Sequence, residues 1–236
     1  MKIALLGYGK MGRTIEKTAE ERGHQIVYKT SSPPEIDSLK KAEVAIDFSI
    51  PDAAFDNITT CFKNHIPAVC GTTGWLDNYD KASKICKENN SGFIYASNFS
   101  LGVNLFFELN EHLAKMMEKF QTEYSVSLEE IHHTEKLDKP SGTAKTLAEQ
   151  ILPYSEKADW FLRENKEERN NEISVEAKRI EDVHGTHRVM YSSEIDELEI
   201  KHTAFSRKGF ALGAVLAAEF LKDKQGVFTM KDVLGI

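Results

Sequence analysis

The stretch "KIALLGYGKMG" at residues 2–12 limits the fold more than any other part of this 236-residue chain. A short apolar run leads into Gly7, Gly9 and Gly12, spaced G-x-G-x-x-G. Helical periodicity follows at once in Met11, Ile15, Thr18, Ala19 and Arg22, and Gly23 is a natural stop. A glycine triplet alone is weak evidence. Between a strand and a helix each glycine has a purpose: a tight turn, close approach of a pyrophosphate to the backbone, and close packing of helix on strand. The helix start then offers unpaired N–H groups to an anion. Residues Gly7, Tyr8, Gly9, Lys10, Met11 and Gly12 are therefore candidates to hold a dinucleotide. A glycine turn without a ligand is the competing reading, and the surrounding sequence has to decide.

That sequence repeats strand and helix signals through residue 98. Strand-like runs at 25–29, 43–49, 66–70 and 92–98 alternate with helical stripes, one opening at Ser49 and Pro51 and another carrying Tyr79, Ala82, Ile85 and Cys86. Repeated βα units predict a parallel, doubly wound, Rossmann-like sheet. Ligands in such sheets lie beyond the carboxyl ends of the strands. Ser49, Gly71, Thr72 and Thr73, and Ala96, Ser97, Asn98 and Phe99 fall there and join the cofactor candidates, although ordinary turn chemistry is the plainer account of these loops. The second strand ends in "VYKTSSPPE", without the carboxylate that usually holds the ribose of NAD. Lys29, Thr30, Ser31 and Ser32 stand there instead, and a cation with hydroxyls tolerates a 2′-phosphate. NADPH is the expected cofactor, with NADH as an alternative.

After residue 98 the periodicity changes. Leu105, Phe106, Leu109, Leu113, Met116 and Met117 mark a long amphipathic helix, and period-two runs follow near 123–131, 172–180, 187–192 and 196–205. Their spacing is not βα, so a second α+β domain with an open mixed or antiparallel sheet is expected. "SGTAKTLAEQIL" puts Ala144, Leu147, Ala148, Ile151 and Leu152 on one helical face, and 163–172 reads as a charged, solvated loop. The apolar helix "GFALGAVLAAEFL" near the end must pack on something, and a return to the first domain is expected. The divisions are 1–99 with 207–236 for dinucleotide binding, and 100–206 for substrate binding and oligomerisation.

The formal net charge of −7 and the lack of a basic patch argue against nucleic acid as a partner. No apolar run reaches membrane-spanning length. Cys61, Cys70 and Cys86 match no metal-ligand spacing, and three reduced core thiols fit a cytoplasmic location.

The richest chemistry lies in "EEIHHTEKLDKPSGTA" at 129–144. Lys136 follows His132 by one helical turn's spacing, and Gly142 lets an anion approach the start of the helix near Ser141. Histidine and a tuned lysine can move protons near neutral pH. Adjacent histidines could also ligate a metal or merely end a strand at the surface. No Cys, Asp or Glu at zinc-like spacing supports a metal, and none is expected.

These residues resemble the dihydrodipicolinate reductase family, also called the 4-hydroxy-tetrahydrodipicolinate reductases. "EIHHTEKLDKPSGTA" looks like the family signature, and "GTTG", "NFSLGVN", "HTAFSRKGFALGA" and "GVFTMKDVLG" look like family segments in the same order. The resemblance implies an NAD(P)H-dependent reduction of a small cyclic dicarboxylate in diaminopimelate and lysine biosynthesis, carried out by a homotetramer. It implies that His132 donates and accepts a proton and that Lys136 is the general acid. It implies substrate contacts from His133, Ser141, Gly142 and Thr143, with Thr73 between cofactor and substrate and Arg207 in an S-R-x-x-F-A segment. Lys139, Thr134 and Glu135 depart from the usual pattern. A dehydrogenase for another amino-acid-derived imine, or a dinucleotide sensor without turnover, are the alternatives; a sensor has no need of proton donors.

Overall fold

The computed structural model describes residues 1–165 and 169–236; residues 166–168, within the expected charged loop at 163–172, lie outside the described residues. The chain forms two compact units, Met1–Leu101 with Arg207–Ile236, and Gly102–Ser206.

The first unit opens with β1 (Lys2–Leu6), α1 (Lys10–Glu21), β2 (Gln25–Thr30), α2 (Ile36–Leu39), β3 (Val44–Asp47), α3 (Pro51–Lys63), β4 (Ala68–Cys70), α4 (Tyr79–Glu88) and β5 (Gly92–Tyr95). The chain continues through α5 (Leu101–Met117), β6 (Ser125–His132), α6 (Gly142–Ile151), β7 (Asp159–Leu162), β8 (Glu172–Arg179), β9 (Gly185–Ser192) and β10 (Glu197–Ala204). It returns to the first unit with α7 (Lys208–Leu221), β11 (Gly226–Phe228) and α8 (Met230–Leu234).

The first sheet is wholly parallel, in the order β11-β5-β4-β3-β1-β2. Its strands are apolar on both faces because helices cover both. Ile3 and Leu5 of β1 share a core with Ile15 of α1 and Ala214, Val215 and Ala218 of α7. Ala4 and Leu6 pack on the other side with Ile58 and Phe62 of α3 and Ala82 and Cys86 of α4. All three cysteines are buried and free. The apolar α7 thus covers one face of this sheet together with α1, and the tail adds β11 at its edge beside β5.

The last helix, α8, is short and depends on its cap. Thr229 accepts from the Asp232 N–H, and Asp232 accepts from the Thr229 N–H at 2.7 Å, a reciprocal capping box. Thr229→Ala is expected to cost about 1 kcal/mol and lower Tm by roughly 2–4 °C. An unchanged Tm would mean that α8 contributes nothing to the unit's stability.

In the second unit five strands lie in the order β10-β9-β6-β8-β7. The sheet is mixed: β6 runs antiparallel to β9 but parallel to β8, and β8 parallel to β7. Helices cover one face, where Phe106 and Met117 of α5 and Leu147, Ala148 and Ile151 of α6 bury Leu128, Val175, Val189 and Tyr191. Period two in the sequence marked four of these strands. The fifth, β7, is four residues long, too short to show a period. Among the described residues, no helix is long and apolar enough to cross a membrane.

Candidate active site

In the first unit the backbone turns at Gly7 with φ +91°, and a Cβ there would lie 2.2 Å from the Phe48 carbonyl oxygen. Only glycine fits. A Cβ on Gly12 would lie 2.4 Å from the Gly7 oxygen, so α1 can seat against the turn only without one. Gly9 caps α1 with no side-chain hydrogen bond, and a Cβ there would meet nothing within 4 Å. The result is a bare helix N-terminus facing open space, which suits a pyrophosphate. Beside it lies a cleft of about 680 Å³ lined in part by Gly7, Tyr8, Gly9, Ser31, Ser32 and Ser49.

The cleft rests on a carboxylate that the sequence did not mark. Asp47, at the end of β3, is fully buried. It accepts from Thr72 Oγ1 at 2.6 Å, Asn57 Nδ2 at 2.8 Å and Ser49 Oγ at 3.0 Å. Burial raises its pKa against the lowering effect of those hydrogen bonds. Thr72 also accepts from the Ser49 N–H at 2.8 Å, so β3 and the "GTTG" loop are tied together. Thr72 is therefore a buried brace, and Thr73 is the exposed member of the pair. A Cβ on Gly71 would strike the Phe48 ring. Ala96 is half-buried and Ser97 exposed, Asn98 accepts from the Ser100 N–H, and Phe99 is buried in the core. Lys10 is exposed and Met11 packs on the core. Lys29 already has a partner. Its ammonium donates to Glu16 at 2.8 Å and to the Tyr8 hydroxyl at 3.2 Å, and the Glu16 hydrogen bond raises its pKa. Arg207, exposed at the start of α7, falls in this first unit.

In the second unit the signature stretch is the end of β6 followed by a turn, not a helix. Strand alternation points Glu130 and His132 to one face, and both are buried. Glu130 gathers the stretch. It accepts from the Ser141 N–H at 3.1 Å and faces the Arg179 guanidinium at 3.1 Å. His132 Nδ1 lies 3.3 Å from it without the alignment of a hydrogen bond, and His187 Nε2 lies at 3.8 Å. Burial works to raise the Glu130 pKa, but His132 and Ser141 outweigh it and hold the pKa at about 2. Burial, then the nearby His132 charge, pushes His187 down to about 3. Near neutral pH Glu130 is an anion and His187 a neutral ring.

Ser141 caps α6, its Oγ accepting from the Ala144 N–H at 3.2 Å and lying 3.1 Å from His187 Nε2. Its N–H is taken by Glu130 and its side chain is buried, so it shapes the corner from beneath. Gly142 is the exposed residue, and a Cβ there would meet nothing within 4 Å. Thr143 follows half-buried, as is His133. The Lys136 ammonium pairs with Asp138 at 2.8 Å, and burial raises but that ammonium lowers the Asp138 pKa, with a net fall. The Lys139–Pro140 bond is cis.

Two family models divide the chain between them: dihydrodipicolinate reductase, N-terminus, matches residues 1–99, and dihydrodipicolinate reductase, C-terminus, matches residues 102–234. The chain belongs to the dihydrodipicolinate reductase family. The 4-hydroxy-tetrahydrodipicolinate reductase of Christiangramia forsetii is 62% identical over 99% of this chain and 98% of that protein. Its counterpart in Methanoregula boonei is 36% identical over 100% and 98%. A solved structure, a dipicolinate-bound dihydrodipicolinate reductase from Paenisporosarcina sp. TG-14, shares the fold. Its TM-score is 0.78 at 21% identity, covering 98% of both chains.

Three members of the reductase's second-unit cluster escaped the sequence: Glu130, Arg179 and His187. Glu130, His132 and His187 offer ligand atoms all within 4.8 Å of one another. Such a set can hold a metal ion, although none of its spacings is zinc-like. The same carboxylate already faces a guanidinium, which would repel a second cation.

Proposed function

We propose that this chain reduces 4-hydroxy-tetrahydrodipicolinate, by way of dihydrodipicolinate, to tetrahydrodipicolinate at the expense of NAD(P)H, within diaminopimelate and lysine biosynthesis. Family membership over the whole chain supports the activity. The observation that carries it is the end of β6, where an imidazole and an open helix start are tied to the buried Glu130 carboxylate, and the Lys136 ammonium in the loop between them rests on exposed Asp138.

When bound, the dihydronicotinamide supplies a hydride to the far end of the ring's C=C–C=N system. The electron pair moves toward the ring nitrogen. Lys136 and His132 stabilise that charge and deliver the proton that returns the ring to an imine. Gly142, Thr143, His133 and Lys136 bind the carboxylates, with Ser141 holding the corner. Thr73 and Arg207, both exposed, complete the substrate contacts. Residues Gly7 to Gly12, Lys29, Ser49, Gly71 to Thr73 and Ala96 to Phe99 hold the dinucleotide, with Phe99 acting through its packing.

A coupled assay supplies the product of the preceding pathway step and follows oxidation of each nicotinamide. Substrate-dependent oxidation is expected. Binding of NADPH without turnover would replace the reductase by a sensor.

NADPH is the preferred cofactor in this reading and NADH is accepted. Ser31 and Ser32 on the cleft wall suit a 2′-phosphate, while the Glu16 carboxylate competes for Lys29. Glu16→Gln should free Lys29 and raise the NADPH:NADH ratio of kcat/KM about two- to fivefold, the size of an exposed ion pair. A ratio that stays put removes Lys29 from cofactor choice. A homotetramer, which rests on family membership, would be tested by sedimentation. Buried free thiols and a biosynthetic role support a cytoplasmic location.

A further inference from the structure

The loop 133–141 carries His133, Lys136 and the cap of α6, yet it has little regular structure of its own. Something else must hold it. Among the described residues its polar attachments lead chiefly to two side chains, with His187 a third that meets only the Ser141 hydroxyl, at 3.1 Å. Arg179, at the end of β8, donates to the Lys136 carbonyl at 3.3 Å and the Asp138 carbonyl at 2.5 Å. It also meets Glu130 at 3.1 Å. Glu130 in turn takes the Ser141 N–H through both its oxygens, each at 3.1 Å. The middle of the loop thus hangs on the guanidinium and its far end on the carboxylate.

We infer that Glu130 and Arg179 are positioning residues: an ion pair that clamps the middle and the far end of the loop 133–141 and so presets the substrate's carboxylate site. This rests on the function proposed above and extends it to two residues that need not touch substrate. The Glu130 side chain is wholly inaccessible, and Arg179 nearly so at 17%. The fork of the guanidinium matters as much as its charge, because four acceptors lie around one planar group, the fourth being the Lys178 carbonyl at 2.7 Å. Lysine carries the charge but cannot span them. The carboxylate is doubly committed as well, and a neutral amide in its place can accept from Ser141 but leaves Arg179 without its anion. The other ionisable groups facing Glu130 are His132 on its own strand and His187 on β9. Neither bonds the loop's backbone among the described residues, His187 meeting only the Ser141 hydroxyl, so the backbone clamp is the pair itself.

The test compares Glu130→Gln, Arg179→Lys and the double variant with wild type. It measures KM and kcat for the dicarboxylate, dipicolinate binding by calorimetry, and NADPH affinity. Each single variant should lose about 10- to 100-fold in kcat/KM, mostly as a raised KM, because a misplaced binding loop costs that much. Dipicolinate should weaken in parallel while NADPH affinity stays within twofold of wild type. The double variant should lose little more than either single, because the two residues act as one clamp. A folded Arg179→Lys with wild-type KM and dipicolinate affinity would overturn the inference. So would NADPH affinity falling in step with KM, the mark of general damage. If Glu130→Gln is recovered unfolded, Arg179→Lys, which keeps a cation opposite Glu130, decides alone. A wild type that turns over no dicarboxylate sinks both the function and the clamp; an active wild type with unaltered variants sinks the clamp only.

Discussion

Lys136→Ala is expected to lower kcat by about 10²–10⁴-fold, the usual cost of losing one positioned acid, and to raise KM for the dicarboxylate as well. Both constants should move because one cation has two tasks. It neutralises a substrate carboxylate in the ground state, and it meets the charge that grows toward the ring nitrogen during reduction. The structure gives the lysine a resting partner for the first task. Asp138, two residues on, pairs with the ammonium at 2.8 Å and is itself more than half exposed, 55% against 24% for Lys136. An exposed pair of this kind is worth little, roughly 0–1 kcal/mol. A doubly anionic substrate can therefore displace Asp138 at small cost. Lys136→Arg separates the two tasks. Arginine restores the charge, so KM should recover in part. It does not give up a proton, so kcat should stay low. An alanine variant with wild-type kcat would remove Lys136 from the chemistry. An arginine variant with wild-type kcat would leave it a charge and nothing more.

The parts of this molecule that the sequence shows plainly are those whose signal is local. "KIALLGYGKMG" carries its own strand, turn and helix, and the structure explains Gly7 and Gly12 by a contact within reach and Gly9 by the open space at the helix start. The apolar strands of the first sheet read as buried because both faces are covered. The second unit shows the opposite case. Alternation reveals that β6, β8 and β9 are strands, but it does not reveal their partners. Only the parallel pairing of β6 with β8 sets His132 opposite Arg179. Only the antiparallel pairing of β6 with β9 sets Glu130 opposite His187. Those two registers assemble the buried cluster from residues up to 57 positions apart in the chain (130 and 187). Lys29 has a partner that was hidden for a related reason. It stands where a phosphate-binding cation would, but α1 returns Glu16 to the same spot, and the carboxylate takes the charge. Asp47 reads as one more strand residue until Ser49, Asn57 and Thr72 are seen to converge on it. Ser141 was legible as a cap, but its burial under His187 was not.

The same cluster should make the protein labile in acid. Glu130 falls from an ordinary value of 4.5 to about 2 in the fold. The unfolded chain therefore takes up this proton first, and the stability the carboxylate contributes above pH 4.5 is lost as pH falls toward 2. His187 is also depressed, from 6.5 to about 3, so below pH 6.5 the unfolded chain again binds the proton that the fold excludes. Both groups weaken the native state in the same direction, His187 beginning at the higher pH. Fully expressed, each shift is worth on the order of 3–5 kcal/mol. The two do not simply add, since the Glu130 charge supports a proton on His187. Against a total stability of about 5–15 kcal/mol, even one of them is large. The urea midpoint of the wild type should accordingly fall steadily from pH 6.5 downward. His187→Gln keeps a polar partner for Ser141 but cannot be protonated, so its midpoint should fall less steeply than the wild type's between pH 6.5 and 4.5, where His202, also lowered by burial, still contributes. If the two proteins trace the same curve between pH 6.5 and 4.5, His187 is not the group that gives way, and the neutral ring packed against Ser141 has no bearing on acid stability.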